Sequence, residues 1–129
     1  MDFDPARTWY HGSPLKLTTL HEGSTITQKR GLARIFSHKP TLVSVSDNGQ
    51  IKHNGMLLGY LYVVADEIQP KDVVPHPRTA MAPGDEWLTT RELRLQLLCS
   101  TEPAPEEQLT GEEWAALQRQ LARHAQMPR

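Results

Sequence analysis

Two side chains set among aromatic neighbours are the residues of this chain best suited to chemistry: His11 in Trp9-Tyr10-His11-Gly12-Ser13 and Glu86 in Gly84-Asp85-Glu86-Trp87-Leu88. An imidazole followed by Gly-Ser can hydrogen-bond a ligand, and the glycine lets that ligand approach the backbone. A carboxylate at the start of a strand, behind a loop and beside an indole, can accept a hydroxyl hydrogen bond and stabilise developing positive charge. Taken singly, His11 reads first as a satisfied structural histidine and Glu86 as a solvated turn acid. Their combination describes a small cleft that holds a nucleotide. Glu92 is a rival carboxylate, but in the alternating stretch that follows it falls with the arginines, opposite the leucines.

Other reactive residues carry less. Cys99 is the only cysteine, so no internal disulfide forms, which fits a reducing compartment. It follows Leu95-Gln96-Leu97-Leu98 and reads as a packing residue at a strand end. His21, His38, His53, His76 and His124 lack metal-ligand spacing, so no metal is expected, and each is taken for a surface residue. His53-Asn54-Gly55 reads as a turn, and His76, between prolines, is within reach of a substrate. Neither a Gly-rich phosphate loop ending in lysine nor a nucleophile elbow occurs. Lys29-Arg30 and the Arg91/Arg94 pair are most simply solvated.

The elements that must position His11 and Glu86 follow from pattern. The length of 129 residues suits about one domain able to bury a core without staples. A net charge of −1 gives no footprint for broad phosphate-backbone binding. Residues 7–12 predict a first strand, and residues 15–30 show no sustained period. Residues 41–54 fit either a hairpin turning at Asp47-Asn48-Gly49 or a short helix from Pro40 to Ser46. Gly59-Tyr60-Leu61-Tyr62-Val63-Val64 is the clearest strand, apolar enough for a buried place. Residues 65–85 contain four prolines and read as a long irregular loop of the binding or lid kind. Residues 86–99 return to strand, with Leu93, Leu95 and Leu97 facing the core. Residues 102–108 form a linker. A helix follows, capped by Thr110 and Glu113 and carrying Trp114, Leu117 and Leu121 as an apolar stripe packed on the domain. The start of the chain lacks a basic region ahead of an apolar run, and no run is long enough to span a membrane. The expected location is the cytoplasm, its own or that of a target cell.

Over roughly residues 8–99 the chain resembles the ADP-ribosyltransferase fold. The likeness is to its histidine-containing branch, which includes the diphtheria-toxin-like and poly-ADP-ribose polymerase catalytic domains and the small rifamycin-modifying transferases. Tyr10-His11-Gly12-Ser13 is similar to that family's first-strand motif, Gly31-Leu32-Ala33-Arg34-Ile35-Phe36-Ser37 to its second element at a strand end before a helix, and Gly84-Asp85-Glu86-Trp87-Leu88 to the late strand with the catalytic glutamate. The strand at residues 59–64 is similar to a core strand of the small transferases. The resemblance implies an α+β domain with a split β-sheet over residues 1–102, followed by a linker and helix at residues 103–129. It implies NAD as substrate, with His11 holding a ribose and Gly12 the nicotinamide amide, with Ser13 beside them. Phe36 would stack on the ring, Arg34 meet the pyrophosphate, and Ser37 support a catalytic Glu86. The acceptor (protein, nucleic acid or small molecule) is left open. Where the family places a tyrosine to stack on nicotinamide, this chain has Ile35 or Phe36, and Tyr60 and Tyr62 fall in the core strand. Two other functions fit the same residues: a non-catalytic NAD-binding or interaction module of that fold, and an RNA-end phosphate transferase, which needs a more basic surface.

Overall fold

A computed structural model describes residues 4, 7–41, 43–46, 50–79 and 81–126, with side chains in the last helix described to residue 119. The chain is a mixed α+β domain of short, mostly antiparallel strands with two helices. Four strands, β1 (Tyr10–Ser13), β2 (Thr19–Leu20), β6 (Gly59–Val64) and β9 (Leu93–Thr101), form a sheet in the order β1-β6-β9-β2. A second sheet has the order β3-β8-β7, from β3 (Thr25–Ile26), β7 (Val73–Pro75) and β8 (Trp87–Thr89). The hairpin of β4 (Val43–Val45) and β5 (Ile51–His53) stands apart.

The two larger sheets meet at one place. Tyr10 and Thr27 exchange backbone hydrogen bonds of 2.7 and 3.0 Å, and Ile26 pairs with Trp87. Beside this junction Trp9 and Trp87 pack edge to face, with centroids 6.0 Å apart. Leu20, Ile26, Ile68, Val73 and Leu93 complete the core around them. Each such side chain stabilises the fold by about 1.5–3 kcal/mol through area removed from water, and an aromatic pair adds about 1 kcal/mol. The indoles thus fix the chain immediately beside Glu86 and two residues before His11.

Helix α1 (Arg30–Phe36) lies on β1 and buries Leu32, Ala33 and Ile35. Two glycines permit this close approach. A Cβ on Gly12 would stand 1.8 Å from the Ala33 carbonyl oxygen, and one on Gly59 would stand 2.2 Å from that of Ser37. Helix α2 (Gly111–Gln126) begins with the expected reciprocal cap: Glu113 N–H donates to Thr110 Oγ1 and Thr110 N–H to Glu113 Oε1, both at 3.0 Å. Trp114 and Leu117 are half-buried; Leu121 lies outside the described side chains.

Several expectations are corrected. Residues 31–37 are not a strand end: α1 occupies them, because burial at residues 32, 33 and 35 follows a helix face. The antiparallel pairing of β4 with β5 excludes the helix at residues 40–46, while the expected turn at residues 47–49 lies outside the described residues. Within residues 15–30 two short strands form. Residues 65–85 are not a continuous loop, since a 3-10 turn at Pro70–Asp72 leads into β7. Buried Asp72 caps that turn and pairs with Arg91, and Asp66 pairs with Arg94, so neither arginine is merely solvated. Residues 86–99 form two strands, and the register of β9 shifts opposite Leu61 and Tyr62. Leu93 is buried but Leu97 is exposed, and Cys99 is exposed within the strand. The stretch read as a linker holds a second 3-10 turn at Pro105–Glu107, tied to the domain by Glu107.

Candidate functional site

Where the sheets part, a hollow of about 270 Å³ opens. Its walls are Tyr10, His11 and Gly12 of β1, Thr25, Ile26 and Thr27 along β3, Ala33 and Phe36 of α1, and Glu86 ahead of β8. Of the residues singled out in the sequence, His11, Gly12, Phe36 and Glu86 come together here, from segments joined by the Trp9–Trp87 contact and the Tyr10–Thr27 bridge.

His11 lies 2.8 Å through Nδ1 from the Thr25 carbonyl oxygen. A carbonyl only accepts, so Nδ1 carries the hydrogen and Nε2 is left as an acceptor. Burial holds the ring below the ordinary imidazole pKa, against the opposing pull of the Thr25 carbonyl, so His11 is neutral at pH 7. Half-buried Glu86 accepts a 2.6 Å hydrogen bond on Oε1 from Thr79 Oγ1, and its backbone oxygen accepts from His76 N–H at 3.1 Å. Among the described residues no hydrogen bond engages its second carboxylate oxygen. Two hydrogen-bond acceptors therefore serve one hollow, with Phe36 as an aromatic wall and no lysine or arginine among the described lining residues. The Lys29–Asp85 ion pair, at 2.7 Å, links the entry of α1 to the loop bearing Glu86.

Gly12 lines the hollow, yet the space its side chain would fill is taken by α1 rather than left open to a ligand. Three other candidates are placed elsewhere. Ser13 is buried and its Oγ accepts from Leu15 N–H. Ser37 is fully buried, donating to the Arg34 carbonyl and sharing a 2.6 Å hydrogen bond with Thr101 Oγ1, so it does not support Glu86. Arg34 points its guanidinium to Glu107 in an ion pair. The residue that does hold Glu86, Thr79, went unread because nothing in a proline-rich stretch marks which hydroxyl turns inward.

His38 and His53, expected at the surface, are both 0% exposed and stack at 5.7 Å with planes 14° apart. His38 donates from Nδ1 to the Leu57 carbonyl at 2.8 Å, and its Nε2 has no partner among the described residues. His53 Nδ1 accepts from Gly55 N–H at 3.0 Å, so Nε2 carries the hydrogen and faces Glu107 Oε2 at 3.3 Å. Burial lowers both pKa values. At His38 the Leu57 carbonyl opposes this and Arg34 adds to it; at His53 both His38 and Arg34 add to it. No sequence spacing signals this pair, because α1 and β5 bring its members together. Among the described residues no group of three or more His, Cys, Asp or Glu could hold a metal ion, and no helix is long and apolar enough to cross a membrane.

No protein-family model matches the chain, and neither a curated protein nor a solved structure matches it.

Proposed function

We propose that the chain binds NAD in this hollow and transfers its ADP-ribose to an acceptor, releasing nicotinamide, in a domain of the ADP-ribosyltransferase kind. The observation that carries the proposal is the pairing of a neutral imidazole acceptor with a carboxylate in one hollow walled by an aromatic ring. Two acceptors suit the hydroxyls of a ribose. A volume of about 270 Å³ suits the nicotinamide and its ribose, with the rest of the dinucleotide lying outside. The parting of the two sheets beside α1 supports the split-sheet reading.

In the reaction, the bond between ribose C1′ and the nicotinamide nitrogen breaks, and its electron pair leaves with nicotinamide. Positive charge spreads over C1′ and the ring oxygen. Glu86, accepting from a ribose hydroxyl, stabilises that charge, and His11 fixes the sugar. A nucleophile of the acceptor bonds to C1′ and gives its proton to solvent. The same lining disfavours an RNA phosphotransferase, because a phosphate would face a carboxylate with no lining cation to offset it.

Thermal unfolding with and without NAD, followed by nicotinamide release, tests the reading. NAD at about 100 times its Kd stabilises the fold by about 2.7 kcal/mol. Glu86→Gln is expected to retain that shift and to lose about 100-fold or more in release. Binding without release in the native chain would make it the non-catalytic module, and the absence of a thermal shift would end the proposal.

A further inference from the structure

We infer that Thr79 is the positioning residue of Glu86, and that hydrogen bonds among residues 76–79 and 81–86 of this loop set where the carboxylate stands. This rests on the reading of Glu86 just given. The Thr79 hydroxyl is committed in both directions. It accepts from Met81 N–H at 3.0 Å, so its own hydrogen goes to Glu86 Oε1 at 2.6 Å. The loop closes on itself at both ends. Arg78 N–H donates to His76 Nδ1 at 3.1 Å, His76 N–H donates to the Glu86 carbonyl at 3.1 Å, and Asp85 N–H donates to the Ala82 carbonyl at 3.1 Å. Trp87 Nε1 donates to the Gly84 carbonyl at 3.0 Å, which ties the far end of the loop to the core.

A half-buried glutamate has three side-chain torsions to fix, and an exposed loop offers little packing to fix them. One short hydrogen bond to Oε1 removes most of that freedom and leaves Oε2 for the ribose hydroxyl of the proposed substrate. Holding a charged group in place before reaction is worth rate rather than affinity, since a displacement of about 1 Å can cost about 100-fold.

Two variants separate positioning from simple structural support. Thr79→Val keeps the shape and removes both hydrogen bonds, whereas Thr79→Ser keeps both. In Thr79→Val, kcat for nicotinamide release is expected to fall about 10- to 100-fold with KM within about twofold. Thr79→Ser is expected to restore the rate. A crystal structure of Thr79→Val should show the Glu86 carboxylate turned away from its native place. An unchanged kcat, or a rise in KM alone, overturns the inference, as does a carboxylate that has not moved. Should the native chain release no nicotinamide, the ADP-ribosyl reading fails, and the position of Glu86 in the Thr79→Val crystal alone decides the role of Thr79.

Discussion

His11 at the hollow and the stacked His38–His53 pair are all imidazoles kept below their ordinary pKa by burial, yet they spend their nitrogens differently. His11 commits Nδ1 to a backbone carbonyl and keeps Nε2 beside a hollow. His53 commits both nitrogens to the protein, and His38 one, with its remaining lone pair sealed in a place of zero exposure. The first arrangement leaves hydrogen-bonding capacity for a ligand, and the second closes it off. A buried histidine is therefore a site only when the unsatisfied atom meets open space, and that distinction separates these two regions.

The largest effect should come from opening the closed site. His53→Ala removes a fully buried ring, strands the Gly55 N–H and leaves Glu107 without its imidazole partner. A loss of about 3 kcal/mol is expected, from cavity and unpaired donor together. His11→Asn should behave oppositely, because the asparagine amide can take the place of Nδ1 and still donate to Thr25 while nothing replaces Nε2. Its stability should stay within about 1 kcal/mol of the native chain, while the NAD-induced thermal shift falls by at least half. Urea unfolding of both variants checks the contrast; equal destabilisation would erase it.

This contrast was half legible in the sequence. His11 and Glu86 stood out because each sits within two residues of a tryptophan in a strand-like stretch, and the indole contact that joins those stretches is a core contact that hydrophobic pattern foretells. The clearest strand, β6, was equally plain, as was the Thr110–Glu113 cap. The closed histidine pair was invisible, because α1 is only two turns long and ends at Phe36-Ser37, so its stretch reads as strand. Without α1 in place, His38 has no reason to meet His53. The β9 register shift was hidden too: it falls at Leu98, after the alternating Leu93, Leu95 and Leu97, where nothing in the sequence marks the slip. Thr79 depended on loop closure by backbone hydrogen bonds, which composition does not encode.

Acidification sharpens the comparison next. A histidine whose pKa is lower folded than unfolded takes up its proton more readily in the unfolded chain. Stability from the neutral ring is thus complete above the unfolded value near 6.5 and drains away as pH falls below it. Midpoints of urea unfolding should hold steady above about pH 7.5 and decline towards pH 5. In His38→Phe the stack with His53 survives and one titrating ring is gone. That decline should become shallower, at the expense of the hydrogen bond to Leu57. A pH dependence identical to the native chain would mean that the pair does not carry it.

The smallest effect tests whether the two regions are independent, since both rest on α1. Glu107 joins Arg34 of that helix to His53, with the Arg34 side chain 32% exposed and Glu107 15% exposed. Glu107→Gln keeps a carbonyl oxygen to accept from His53 Nε2 but removes the charge that Arg34 faces. An ion pair that is partly open to water is worth about 1 kcal/mol, so stability should fall by about that much. Loss of the carboxylate also withdraws a negative group that faces a protonated His53, so the acid decline should steepen. Nicotinamide release should not change, because Ala33 and Phe36 reach the hollow from a different face of α1 than Arg34. A variant that keeps its stability but loses turnover would show instead that α1 transmits the state of the closed pair to the open hollow, and the two regions would have to be treated as one site.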